Sequence, residues 1–578
     1  MTPLDYALVV GFLAAMAVGG LWISRLIKDS DDFFVAGREL TPFILAATIT
    51  ATNLSMFHFV GMGGIAYQNG VSIIWQNWTG CIALVMSGCL VLPIMRRLRI
   101  RSVPEFLEMR YHRGLRTLVG AFWGIRLCVY LGLLLYLAAT AAIVITGWNN
   151  YAGWLLIFSL VSVLYSTIGG AWAVAIMDSA QFLIMLAGAL IVFPIAMHLA
   201  GGIPNLIEYF RTASPKHITL VPQSGGFNYV FISSIMLLGF KWASIDQAIL
   251  QRAFGARSPR VGAKGMVLSA VITVPMAFLW ILPGLAVARL HPDAFDTPDK
   301  AIPWLLSTYL PIYAKGLLGF VLCGLVAAQI STITADVNSV ATLFTSDVYR
   351  TLKKHEPTQR QLLLVVRISS LACGAFMLVM AWLLQYDKSG AVNINLVVVG
   401  ILDMPLFIVT VVYGLTWRRI NWQGAVAGFV GGGIAGVASY FILDTAHARI
   451  SAPIIGATAA LIITPIVALL FAHRHREESD QIWQKPPARG FEVMTPDQMQ
   501  TVPAGMGLDA VDAVEEEAFH LVPRSAIGKV AMVVMLVGFL VFTVGILSAM
   551  KASPLASPLA VSGMLATLLG GLVRVYVD

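Results

Sequence analysis

From end to end the chain alternates between apolar runs of some twenty residues or more and short polar breaks, a pattern that leaves few folds open. A helix rises ~1.5 Å per residue, so ~20 apolar residues cross the ~30 Å of hydrocarbon in a bilayer. Such runs fall near 5–26, 43–66, 72–95, 115–147, 151–170, 172–199, 228–250, 263–290, 313–346, 361–385, 393–416, 423–443, 451–473, 527–550 and 554–575, about fifteen in all. In hydrocarbon every backbone polar group needs an internal partner, which a helix supplies within one segment. The expected fold class is an all-α polytopic membrane protein. Composition agrees: 58% of residues are hydrophobic, 12% are charged and the mean hydropathy is +0.80, more apolar surface than a soluble fold hides.

The formal charge of +8 is spread over short loops rather than gathered on one surface, which argues against a nucleic-acid partner. Lys and Arg concentrate in alternate loops, at Arg96, Arg97, Arg99, Arg101, Arg110, Arg113 and Arg116, at Arg252, Arg257, Arg260 and Lys264, at Arg350, Lys353, Lys354 and Arg360, and at Arg418 and Arg419. Between them lie Asp293, Asp296 and Asp299, or the uncharged stretch from Gly147 to Asn150. The positive-inside bias then puts the N-terminus outside and the C-terminus in the cytoplasm. The setting is the plasma membrane, or the inner membrane of a bacterium. The first run, Tyr6 to Ile27, has no small-residue cleavage pattern after it and reads as a retained span. Cys81, Cys89, Cys128, Cys323 and Cys373 lie in apolar runs without metal-ligand spacing and read as small packing residues. The Ser102–Tyr111 stretch, with an early Pro104 and an apolar stripe, predicts a short helix lying on the cytoplasmic interface. Residues 474–526 turn polar and read as a cytosolic linker, a tether or a regulatory segment.

Polar groups at membrane depth are costly unless they face partner helices or a wet path, so they mark functional candidates. The sharpest group is Gly324–Asn338, where Gln329, Ser331, Thr332, Thr334 and Asp336 interrupt an apolar run. Ser331 and Thr332 lie three and four residues after Ala328, on the face toward which its carbonyl points. One carbonyl and two hydroxyls there suit a hard cation, or the hydroxyls bond back to the preceding turn as in ordinary membrane helices. The run from Thr48 to Gly64, with Asn53, Ser55 and several glycines, predicts either an interrupted span that frees carbonyls or packing through small residues. Asp178 either receives a cation or is a salt-bridged structural acid, Asp347 reads as a solvated helix end, and Asp246 and Asp403 are further acids. Arg126 and Lys241 either neutralise buried acids or hold an anionic group of a ligand. No Walker loop, dinucleotide fingerprint or His-Glu-x-x-His run is present, so neither ATP-driven transport nor an enzyme is expected.

Several motifs together resemble the sodium:solute symporter family. They are Asp32-Phe33-Phe34-Val35-Ala36-Gly37-Arg38, Pro104-Glu105-Phe106-Leu107-Glu108-x-Arg110-Tyr111, Gly169-Gly170 before Asp178, Asp246-Gln247-x-x-x-Gln251-Arg252, and Asn338-Ser339-x-x-x-Leu343-Phe344-Thr345-x-Asp347-x-Tyr349. The resemblance implies an inverted five-helix repeat of the LeuT type, with a solute between two interrupted helices. It implies a main sodium site on the backbone oxygens of Ala51, Leu54 and Ala328 and the hydroxyls of Ser331 and Thr332, and a second sodium at Asp178, Ser331 and Thr334. The sugar contacts of the family match poorly: Phe57-His58 stand where sugar transporters place a Glu-Gln pair, Asn77 beside Gln76 where they place a Glu, and Thr273 and Val397 at two further positions.

The resulting expectation is a sodium-coupled symporter that imports a small polar solute or an organic anion by alternating access, with Na+ as the co-transported ion. The residues expected to line the solute site are Asn53, Ser55, Phe57, His58, Gln76, Asn77, Arg126, Lys241 and Trp242. A sugar symporter and a solute sensor without net flux are the alternatives. The expected divisions are a leading span and loop (1–42), two repeats (43–200 and 201–420), two accessory spans (421–473), the linker (474–526) and two C-terminal spans (527–578).

Overall fold

The computed structural model describes residues 1–23, 39–98, 102–225, 227–353, 357–386, 401–443, 451–471 and 519–577, with the isolated positions 36, 100 and 355. The 474–518 part of the linker, most of the Asp32–Arg38 motif and Val397 lie outside the described residues. Among those described, eleven helices are long and apolar enough to cross a membrane, or twelve if one bent pair is a single span. Three shorter apolar helices add to these. The described residues thus show at least eleven spans, of the about fifteen expected for the whole chain.

In chain order the main helices are α1 (Pro3–Ile23), α2 (Pro42–Asn53), α3 (Phe57–Asn69), α4 (Val71–Leu90), α5 (Val103–Arg110), α6 (Arg113–Thr146) and α7 (Tyr151–Leu199). Then follow α8 (Tyr229–Ile245), α9 (Gln247–Phe254), α10 (Pro259–Leu290), α11 (Ala301–Tyr313), α12 (Leu317–Thr342), α13 (Gln359–Leu384) and α14 (Asp403–Thr416). The chain closes with α15 (Trp422–Ile442), α16 (Ala452–Leu470), α17 (Ala526–Ser548) and α18 (Ala556–Val577). Starts are marked where the sequence has Pro in the first turn, as at Pro42, Pro104 and Pro259, or a capping side chain, as at Ser258, Thr358 and Asn421.

The helices sort into an inner and an outer set. The most apolar stretches of α4 and α12 are 89% buried within the protein, against 28% for α15. An inner helix touches protein on every side, so α12 can carry Gln329, Ser331, Thr332, Thr334, Asp336 and Asn338 without exposing them to lipid. Its first turn is capped from outside: Asp5 on α1 accepts from the Gly319 N–H at 2.7 Å, a donor with no acceptor inside the helix.

Several residues expected in water are enclosed. Asp347 is fully buried, accepting from Ser102 Oγ and Arg116 Nε at 2.7 Å each, so it is a structural acid and not a solvated helix end. The α5 helix buries Phe106, Leu107 and Arg110 rather than floating on the interface, and Arg110 donates to the Gly414 and Trp417 carbonyls that close α14. Arg96, Arg110 and Arg252, counted above as loop charges, are buried as well.

Candidate functional site

The helix that begins at Pro42 breaks at Leu54 and Ser55, and its halves α2 and α3 meet at 56°. Ser55 organises the break. Its Oγ accepts from the Phe57 N–H at 3.3 Å, its carbonyl accepts from the His58 N–H at 2.9 Å, and its own N–H donates to His58 Nδ1 at 3.4 Å. His58 thus accepts at Nδ1 and keeps its proton on Nε2, with its ring edge-on to Phe57 and Trp280. Beyond the break α3 opens on a wide turn, Phe57–Met62.

A break leaves the last carbonyls of α2 without their i+4 donors, and α12 answers them. Ser331 Oγ stands 3.0 Å from both the Ala51 and the Ala328 carbonyl oxygen. Thr332 Oγ1 stands 2.9 Å from the Thr52 carbonyl and 3.1 Å from that of Ala328. Three carbonyls and two hydroxyls therefore converge between α2 and α12, a set of oxygens of the kind hard cations take. Leu54 supplies the extended residue of the break, and Thr52 stands nearest Thr332, a contact that the sequence reading passed over.

Asp178 on α7 is buried beside this point. Its Oδ2 accepts from Thr48 Oγ1 at 2.9 Å and Thr52 Oγ1 at 3.4 Å and pairs with Arg252 at 3.1 Å, while Oδ1 has no hydrogen-bond partner. Thr334 Oγ1 bonds back to the Ile330 and Ser331 carbonyls at 2.9 and 3.1 Å. Of the residues expected at a second ion, Asp178 is thus held by Arg252 and two threonines. Thr48 and Arg252 escaped the sequence reading because nothing in one sequence pairs a threonine of α2 with an arginine 204 positions on.

On the other side of the break lies a cavity of about 130 Å³. Of the residues named for the solute site, Asn53, Phe57, His58, Gln76, Asn77, Arg126 and Trp242 line it, joined by Tyr130, Asp246, Thr332 and Asp336 among others. Gln76 Oε1, Asn77 Nδ2 and Arg126 Nε are buried without hydrogen-bond partners, so two donors and an acceptor stand unsatisfied among the residues of the cavity wall. Ser55 and Lys241 stand outside the lining. Lys241, fully buried, pairs with Asp403 and, at 3.5 Å, with Asp246; Arg126 pairs with Asp403 at 3.0 Å and Asp246 at 3.7 Å. Asp246 sits where α8 gives way to α9 and caps the latter through the Ala248 N–H at 3.1 Å. A second interruption therefore borders the cavity.

Comparison with known proteins identifies the family. The sodium:solute symporter family model matches residues 33–432. A sodium/glucose cotransporter of Vibrio parahaemolyticus is 29% identical over 463 residues, covering 73% of this chain and 82% of its own. An uncharacterized symporter, YidK, of Escherichia coli is 29% identical over 464 residues, covering 77% and 79%. Among solved structures, a Na+-coupled sialic acid symporter in its outward-open state superposes with a TM-score of 0.71 at 23% identity, over 81% of this chain and 98% of that one, which shows a common LeuT-type fold. The family is one of sodium-coupled transporters and not of enzymes. With a family model spanning most of its length, the chain belongs to the sodium:solute symporter family.

Proposed function

We propose that this sodium-coupled symporter binds Na+ at the Ala51, Leu54, Ala328, Ser331 and Thr332 oxygens and carries a small polar solute in the adjoining cavity by alternating access. The observation that carries the reading is the convergence of the Ser331 and Thr332 hydroxyls on the carbonyls freed at the α2–α3 break. Those hydroxyls donate to the carbonyls. With sodium bound, their lone pairs and the same carbonyls turn to the ion, which then ties α12 to α2 and fixes the break beside the solute. Inward movement draws on the membrane potential, worth ~2.3 kcal/mol per charge and 100 mV.

The unsatisfied polar atoms of Gln76, Asn77 and Arg126 favour a solute with several hydrogen-bonding groups. An organic anion is less favoured, because Asp403 and Asp246 already neutralise Arg126 and Lys241. The glucose-transporting relative supports a sugar as the second reading. The unpartnered Oδ1 of Asp178 supports a second sodium there, shared with Ser331 and Thr334. In this account residues 43–200 and 201–420 form the two repeats, about fifteen helices cross the plasma membrane, and the N-terminus lies outside.

Proteoliposomes holding the full chain, offered labelled sugars, amino acids, amines and organic acids with and without an inward sodium gradient, test the proposal. Uptake of one class should rise at least tenfold with sodium; equal uptake in sodium and potassium for every class would refute it.

A further inference from the structure

Four buried acids of the spans meet a base, while Asp5 caps α12 and Arg574 donates to the His520 and Leu521 carbonyls. Asp178 meets Arg252, Asp347 meets Arg116, and Asp246 and Asp403 share Arg126 and Lys241, two acids against two bases. Asp336 remains. It is 4% exposed, lies on the cavity wall, and has neither a hydrogen bond nor an ion pair among the described residues. Arg126, Arg252 and Lys241 act on it only from a distance and Asp246 opposes them; a carboxylate without a direct partner at membrane depth is costly and persists where a ligand answers it. A hard metal ion asks for about six oxygens, whereas no group of three or more carboxylate, His or Cys side chains suited to a metal occurs among the described residues. The cavity that Asp336 lines also presents Phe57, Tyr130 and Trp242, rings that favour an organic cation over a hydrated one.

We infer that Asp336 is the subsite for a protonated amine of the solute, so that the transported compound carries one ammonium group among its hydroxyl or carbonyl groups. The ammonium takes the Asp336 carboxylate as its counter-ion and leans on the aromatic wall. Acceptor groups of the same molecule face Arg126 and Asn77, and donors face Gln76. An aliphatic amine is protonated at pH 7, since its pKa is near ~10. The inference rests on the cavity being the solute site of the symporter proposed above.

Thermal stabilisation of the purified full chain in sodium and in potassium tests both, using glucosamine against glucose, ethanolamine against ethylene glycol, and 4-aminobutan-1-ol against butane-1,4-diol. At least one amine should act at a concentration tenfold or more below its neutral partner, in sodium only. Asp336→Asn should erase that preference and Asp336→Glu should restore part of it, with each variant eluting as a single species. Equal potency within every pair, a preference that survives Asp336→Asn, or no response to any of the six compounds at about 10 mM would overturn the amine subsite. Acid-driven uptake of a neutral solute, lost in Asp336→Asn, would make Asp336 a proton site and overturn it too. Stabilisation by amines equally in sodium and potassium would instead sink the sodium reading and leave the subsite standing.

Discussion

Single side chains decide how this protein tolerates charge in hydrocarbon. Asp403 binds both Lys241 and Arg126, so Asp403→Asn leaves two buried cations facing Asp246 alone. Breaking such a pair costs about 3–5 kcal/mol. Its unfolding temperature should fall sharply, and adding Lys241→Met should recover most of the loss; a single variant as stable as wild type would contradict the pairing. Asp299, outside the spans, offers a pH test. Burial pushes its carboxyl up to about 6 from the usual 3.8. An acid whose folded pKa is raised holds its proton more tightly when folded, so this stabilisation is complete below about pH 4 and is lost as pH rises through 6. Asp299→Asn should therefore stabilise the protein at pH 7.5, by at most about 3 kcal/mol, and leave it nearly unchanged at about pH 3, as read from unfolding temperatures at the two pH values.

At the scale of elements, the broken helix is held by close packing as much as by hydrogen bonds. A methyl group at Gly284 on α10 would fall 2.1 Å from the Gly63 carbonyl, and one at Gly64 2.3 Å from the Pro298 carbonyl. No flexible side chain can yield at either place, because the obstacle is backbone. Gly284→Ala and Gly64→Ala should each push α3 outward, costing about 1–3 kcal/mol and weakening sodium-dependent stabilisation; unaltered sodium response in both would show that α3 is not clamped there. Spans and their order were legible because apolar length is a property of one stretch of chain, and the α2–α3 break was legible because Asn53, Ser55 and the glycines weaken a helix locally. Pairings were not. Arg252 and Arg116 read as loop charges, and Asp347 as a solvated end, since burial depends on what α2, α5 and α7 bring alongside. The Ser331-Thr332 pair was readable as one face of a helix, whereas its Thr52 partner needed the fold.

In the molecule as a whole, an inner set of helices around α12 carries the polar chemistry and an outer set shields it. The C-terminal hairpin belongs to the shield: α17 and α18 approach so closely that a methyl group at Gly563 would lie 2.2 Å from the Phe542 amide, and the pair leans on α4 through Phe542 and Trp75, whose rings are 5.4 Å apart. Gly563→Leu should lower the unfolding temperature yet leave the sodium concentration at half-saturation unchanged, because no hairpin residue lines the cavity or reaches α12 oxygens. A changed sodium midpoint would tie the hairpin to the transport core. The central claim is that the α2–α12 oxygens bind the driving ion, and equilibrium binding of radioactive sodium to the purified full chain tests it most directly. Saturable binding in wild type that Ser331→Ala with Thr332→Ala lowers at least tenfold, while the variant stays folded, is the predicted result. Undiminished binding in that double variant would contradict the account.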